Sequence, residues 1–245
     1  MNPTSLSVVI PVYNEGACIQ RNLEKIAGYL SSKFSRFEVI VVDDGSTDDT
    51  RKKLAEVARQ DGQIRIVSFS INHGKGFAVK QGMLKARGGI ALFTDADLST
   101  PIEETEKALE ELSKGYSLVI ASRQHPDSII FVRQSYARET MGKLFNLIVR
   151  TLFRLPFRDT QCGFKCFSQK ATKKIFSGAR IDDLTFDVEA LLIALRRGYL
   201  VKEIPICWTN APTSKVRLIK DSLRIAKELY LIFFNDLKGL YGHKS

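Results

Sequence analysis

The sequence predicts an α/β fold, a mainly parallel sheet flanked by helices. Two patterns predict it. Short unbroken apolar runs alternate with stretches of helical periodicity through residues 1–121, as strands buried on both faces and joined by crossover helices do. Each run then ends in a polar tail, and parallel sheets of this kind bind ligands at the carboxyl ends of their strands.

Residues 7–12, 37–42, 64–69, 90–94 and 118–121 read as five strands. Between them, 17–30, 48–60, 76–87 and 101–113 carry apolar residues at helical spacing. Ser46 or Thr47 is placed to cap the second helix. The fourth helix opens with Glu103, Glu104 and Glu106, which suit the positive end of its dipole. Beyond residue 121 the pattern changes. Residues 124–130 read as a loop and 136–155 as a long amphipathic helix. A turn at 159–167 runs into a short strand; 169–177 and 186–197 look helical, 200–207 extended, and 222–237 forms a final helix. No internal repeat or low-complexity linker interrupts the chain, so residues 1–245 are expected to be a single domain.

At 245 residues and 44% hydrophobic content the chain can bury a sizeable core. Its start lacks the basic-then-apolar pattern of a secretory leader, and no run approaches the roughly 20 apolar residues of a membrane span. Cys18, Cys162, Cys166 and Cys207 form no C-x-x-C pair, and the three histidines do not cluster with them. Free thiols in a reducing cytoplasm are expected rather than zinc or disulfides. Charge is uneven. Residues 1–120 hold 15 Lys+Arg against 16 Asp+Glu, whereas residues 121–245 hold 22 against 11. A basic second half implies an anionic partner: nucleic acid, an anionic membrane surface or a phosphorylated substrate.

The strand tails carry the chemistry. They read Tyr13-Asn14-Glu15, Asp43-Asp44-Gly45-Ser46, Asn72-His73-Gly74-Lys75-Gly76 and Asp95-Ala96-Asp97. Residues i and i+2 of an extended chain point the same way, so Asp95 and Asp97 place two repelling carboxylates together. A cation relieves that repulsion, and Mg²⁺ or Mn²⁺ takes oxygen ligands and bridges to substrate phosphates. Helix capping before Pro101 is the other reading of the pair. At the mouth of a sheet, Asp43 and Asp44 suit ribose hydroxyls or a base edge, although their composition is also that of a turn. The glycines around Lys75 allow close backbone approach, and the lysine suits a phosphate. The G-x-x-x-x-G-K-[ST] loop is absent, and no dinucleotide fingerprint follows the first strand.

Taken together, "VVIPVYNE", "VIVVDDGSTDDT", "NHGKGFAVKQGM", "LFTDADLSTP" and "ASR" resemble the inverting nucleotide-sugar glycosyltransferases of the GT-A fold. The later "RDTQCGFKCF", "FDVEALLIA" and "EIPICWTNAPTSKV" are similar to the dolichyl-phosphate β-glucosyltransferase branch, whose relatives include mannose synthases. The resemblance covers about residues 5–235. It implies a nucleotide-sugar half, 1–121, and an acceptor half, 122–245. Pro11, Tyr13, Glu15 and Asp44 would line the nucleoside pocket with Asp43 beside them, and Lys75 and Gly76 would lie near the nucleotide. Asp95, Ala96 and Asp97 would meet the diphosphate, the two aspartates holding the Mg²⁺ or Mn²⁺. Arg123, Arg133 and Arg138 would meet donor or acceptor phosphates, and Gln161 and Lys165 the acceptor. Ser214 and Lys215 would close over the diphosphate. Two positions depart from the pattern: Ser99 stands where mannose synthases carry glutamine, and Thr213 where the glucosyltransferase branch often has glycine.

The reaction so implied moves a hexose, glucose on the branch resemblance, from a UDP-sugar to a polyprenyl phosphate with inversion. GDP-mannose as donor, or a glycan hydroxyl as acceptor, are the alternatives. Asp187 and Glu189 are base candidates for a hydroxyl acceptor, and equally suit a helix start or an ion pair. A lipid acceptor implies peripheral attachment to the cytoplasmic face of a membrane through helices 136–155 and 222–237, or these helices simply pack on the sheet. Homodimerisation through 229–234 is a further expectation. Nucleic-acid binding is the reading from another class, but the basic stretches lack interleaved aromatics and any recognised binding motif, so no nucleic-acid partner is expected.

Overall fold

The computed structural model describes residues 5–210 and 218–242, the side chains of 218–220 excepted. The first half runs β1 (Leu6–Val12), α1 (Ile19–Lys33), β2 (Phe37–Asp44), α2 (Thr50–Gln60), β3 (Ile64–Phe69), α3 (Lys75–Lys85) and β4 (Ile90–Thr94). A 3₁₀ turn at Ile102–Glu104 leads into α4 (Thr105–Ser113) and β5 (Leu118–Ser122). The second half adds β6 (Ile129–Val132), α5 (Tyr136–Phe153), β7 (Phe164–Ser168), α6 (Gln169–Gly178), α7 (Phe186–Arg196), β8 (Val201–Pro205), β9 (Cys207–Thr209) and α8 (Leu218–Leu237).

Seven strands form the sheet in the order β3-β2-β1-β4-β7-β5-β8. Its strands alternate sides at period 2. Val9, Ile40, Val42, Phe93, Ile120 and Phe167 pack with α3, α6 and α7 on one face. Val8, Ile10, Val39, Val41, Leu92 and Val119 pack with α1, α2 and α4 on the other. Both faces are covered, which is why the strands read as apolar runs.

Three local expectations are corrected. The second helix has Asp49 at its N-cap, with no side-chain bond. Ser46 instead accepts the backbone N–H of Asn14 at 2.9 Å, because it is drawn into the seam between the β1 and β2 tails. The loop expected at 124–130 contains part of β6, and the strand expected at 200–207 breaks into β8 and β9, which pairs with β6. β7, whose direction the sequence pattern leaves open, is antiparallel to both neighbours. It begins opposite Thr94, the last residue of β4, so the excursion through β6 and α5 returns to the end of the sheet that it left. That return sets β7's direction and brings Gly163 against Asp95.

Candidate active site

The strand tails interlock before any ligand is considered. Asn14 adopts a left-handed conformation (φ 53°) and its side-chain oxygen accepts the N–H of Thr47 at 2.7 Å. The Asp44 carboxylate accepts the N–H of His73 at 3.0 Å and of Gly74 at 2.8 Å. One acid therefore fixes the turn that starts α3. The backbone of that turn is in turn docked on residues 181–185, with the Phe77 N–H donating to the Asp182 carbonyl at 2.8 Å.

Lys75, first residue of α3, is carried to the end of β4, where its Nζ meets Asp95 Oδ1 at 2.6 Å. Burial pulls the ammonium down, but Asp95, Asp187 and Asp97 outweigh it and hold Lys75 above the usual lysine range. Asp97 is pushed above the usual carboxylate range, by burial first and by Asp95 second, although its Oδ1 accepts the Ser99 N–H at 2.9 Å. The crowding read from the sequence is thus real, and Lys75 offsets part of it. Ala96 is buried between them, its carbonyl accepting Asn22 Nδ2 at 2.7 Å.

Two cavities meet here. A cleft of about 340 Å³, rich in charged side chains, is lined by Pro11, Tyr13, Glu15, Asp44, Lys75 and the Asp95-Ala96-Asp97 tail. A larger cavity of about 550 Å³ lies between α5, α7 and α8, lined by Arg123, Arg138, Gln161 and Asp187 and by apolar residues such as Leu144, Phe145, Ile148, Ile225 and Leu229. Lys75, Asp95, Asp97 and Leu184 belong to both. Arg123 is fixed by Asp159, its Nε to Oδ2 at 2.7 Å and Nη2 to Oδ1 at 2.9 Å. Burial pushes Asp159 up, yet Arg123 outweighs it and keeps the carboxyl below its usual range.

Other predicted residues stand elsewhere. Asp43 lines neither cavity. It is fully buried, accepting Arg51 Nε at 2.9 Å and the Ser46 N–H at 3.0 Å, because adjacent residues of a strand face opposite sides. Gly76 is a packing glycine: a Cβ there would lie 2.6 Å from Phe186 Cβ and 2.8 Å from the Ile181 carbonyl oxygen. Lys165 lines neither cavity; it is fully buried and binds Asp187 Oδ1 at 2.5 Å and the Cys162 carbonyl at 2.7 Å. Asp187 is thereby paired, and burial, ahead of Lys165, still leaves its carboxyl raised. Glu189 is also spent internally, on the N–H groups of Arg180 and Ile181 and on the Tyr241 hydroxyl. Arg133 is on the surface, 3.9 Å from Glu139. Ser214 and Lys215 lie outside the described residues.

Sequence reasoning missed Asp183, Asp221 and Arg224, which line the smaller cleft. Arg224 bridges Asp183 and Asp221, each at 2.6 Å. These come from the second half of the chain, so both halves line this cleft. No local pattern announces them. Gly163, inside a quoted motif, was also passed over. A Cβ there would stand 2.0 Å from Asp95 Oδ2. Gly163→Ala is expected to cut kcat/KM about 10²-fold by displacing that carboxylate. The midpoint of urea unfolding should move by less than about 1 kcal/mol equivalent, since the flexible acid can swing away. Unchanged kinetics would show that Asp95 tolerates displacement.

A family model described as Glycosyl transferase family 2 matches residues 7–176. A dolichyl-phosphate beta-glucosyltransferase of Saccharomyces cerevisiae is 37% identical over 96% of this chain and 76% of its own. That of Homo sapiens is 34% identical over 98% and 78%. Among solved structures, glucosyl-3-phosphoglycerate synthase from Mycobacterium tuberculosis in complex with Mn²⁺, UDP and phosphoglyceric acid is similar with a TM-score of 0.68. It is 18% identical, over 99% of this chain and 80% of that one. The architecture is thus that of the GT-A glycosyltransferases, and the match across most of the sheet, together with relatives more than 30% identical over nearly all of this chain, places it in glycosyl transferase family 2.

Proposed function

We propose that the chain transfers glucose from UDP-glucose to dolichyl phosphate, inverting the anomeric carbon. One observation carries the reading: a cleft rich in charged side chains and a larger, more apolar cavity open onto the same three charged side chains, Lys75, Asp95 and Asp97. A sugar held there has its diphosphate on one side and a lipid phosphate on the other. The names of the relatives support the sugar and the lipid. A neighbour solved with Mn²⁺ and UDP-glucose supports the donor and the metal.

Asp95 and Asp97 fit a hard divalent cation by donor type and by crowding. No group of three or more His, Cys, Asp or Glu side chains completes a cage among the described residues, which suits Mg²⁺ held by one or two carboxylates plus substrate phosphates. Bound there, the ion would neutralise charge on the leaving diphosphate. The remaining work falls to the protein. An acceptor phosphate oxygen attacks C1 of the glucose as the bond from C1 to the UDP oxygen breaks, and that electron pair leaves with UDP. The acceptor's second pKa is about 6, so at neutral pH it is mostly dianionic and needs no strong base. The harder task is bringing two anions together. Arg123, locked by Asp159, and Arg138 line the acceptor cavity and offset that repulsion without reorganising.

The lipid arrives from a membrane. No helix among the described residues is long and apolar enough to cross one. Leu144, Leu147 and Leu152 on α5 and Tyr230, Phe233 and Phe234 on α8 are exposed, and this supports peripheral attachment, on the cytoplasmic face in this reading. Leu229 and Ile232, within the stretch expected to dimerise, are buried in the core. The reading is tested with radiolabelled UDP-glucose, Mg²⁺ and dolichyl phosphate. Label should enter the organic phase and vanish with EDTA. Transfer from GDP-mannose instead, or label confined to a water-soluble glycan, would overturn it.

A further inference from the structure

We infer that Lys75 is an internal counter-ion that holds the metal position on Asp95 closed until a donor diphosphate arrives, so that metal and nucleotide bind as a coupled pair. This rests on the function proposed above. The Lys75 ammonium sits 2.6 Å from Asp95 Oδ1, and both residues belong to each of the two cavities. A divalent cation shared by Asp95 and Asp97 would compete with the ammonium for the Asp95 carboxylate and repel it. The ammonium must therefore move.

Its alternatives in the protein are poor. Asp187 is the next acid to act on Lys75, but its Oδ1 is already bound by Lys165 at 2.5 Å. Asp97 is the second carboxylate that the metal claims. Asp44 is spent on the N–H groups of His73 and Gly74. A diphosphate supplies what is missing, since its oxygens accept the displaced ammonium beside the metal. Metal alone must displace Lys75 with little compensation, whereas metal with diphosphate does so with a new partner in place. The coupling is reciprocal, so UDP strengthens the metal by the factor with which the metal strengthens UDP. Lysine suits the role: its ammonium is a compact charge on a flexible stem, able to leave Asp95 without unwinding α3.

The test is Mn²⁺ binding, read from the electron paramagnetic resonance signal of free Mn²⁺, in full-length protein with and without UDP. In wild type, UDP should tighten Mn²⁺ at least tenfold. Lys75→Met should bind Mn²⁺ alone at least fivefold more tightly than wild type, and the enhancement by UDP should shrink at least fivefold. Lys75→Gln should follow Lys75→Met, and Lys75→Arg should follow wild type. Thermal melts show that each variant is folded, and Asp97→Asn identifies the signal with this site. Equal or weaker Mn²⁺ binding by both neutral variants, with UDP still tightening Mn²⁺ in wild type, would overturn the counter-ion role and leave the proposed function standing. Failure of wild type to bind Mn²⁺ even with UDP would overturn the metal-dependent reading, and this inference with it.

Discussion

Asp95→Asn and Asp97→Asn are each expected to lower glucose transfer about 10³-fold while leaving the protein folded. Both carboxylates stand at the junction of the two cavities, where negative charge develops on the leaving UDP. Loss of one preorganised stabiliser of developing charge costs about 10²–10³ in rate. A metal ligand should cost at least the upper end of that range. Stability should barely respond. Asp95 and Lys75 keep about a third of their side-chain surfaces exposed, 33% and 35%, and ion pairs at such sites contribute about 0–1 kcal/mol. In Asp97→Asn an acid that burial and Asp95 disfavour becomes neutral. The check is kcat/KM for label transfer beside a thermal melt. Retention of a tenth of the activity by either variant would remove that aspartate from the chemistry.

Lys165→Met should have the largest effect on stability, about 3–5 kcal/mol. Lys165 is fully buried and Asp187 nearly so, and removing one partner strands the other as an uncompensated buried charge. In a chain of this size that is a fall in Tm of roughly 10 °C. Replacing both, Lys165→Met with Asp187→Leu, should recover part of the loss, since a buried pair exchanged for apolar residues is often neutral. The pH dependence has a definite sign. The folded-state pKa of Asp187 is already raised, and loss of Lys165 raises it further. A group that binds its proton more readily in the folded state favours folding less as pH rises above its unfolded value of about 3.9. The single variant should therefore lie closest to wild type at acid pH and furthest above neutrality. Urea titrations at several pH values measure this. A uniform loss across pH would mean that packing, not charge, is what Lys165 supplies.

Much of the architecture was legible along the chain. β3 and β4 fall where the apolar runs place them, and β1, β2 and β5 within two residues, because a strand buried on both faces leaves an unbroken run. The strand tails were legible for a related reason: in Asp95-Ala96-Asp97 and Asp43-Asp44 acids break an apolar run, and buried acids need specific partners. What escaped was decided by partners distant in sequence. Asp43 and Asp44 are neighbours of one residue type, yet one holds Arg51 and the other the turn before α3. Arg133 is expected at a phosphate and Lys165 at the acceptor, but Arg133 is on the surface and Lys165 is fully buried.

The sequence by itself determined the parallel sheet, the end of it that works, and the two crowded aspartates there. Those follow from periodicity and charge over a few consecutive residues. The tertiary structure alone decided that β7 runs antiparallel and sets Gly163 against Asp95, and that Asp183 and Arg224 line the same cleft as Lys75 and Asp97. It alone also decided that Lys75 rests on Asp95 and Lys165 on Asp187 rather than the reverse. Strand direction and ion-pair choice depend on which end of the sheet the chain returns to, and on which acid is left unsatisfied when it arrives. Both are properties of the closed fold, absent from any local stretch of residues.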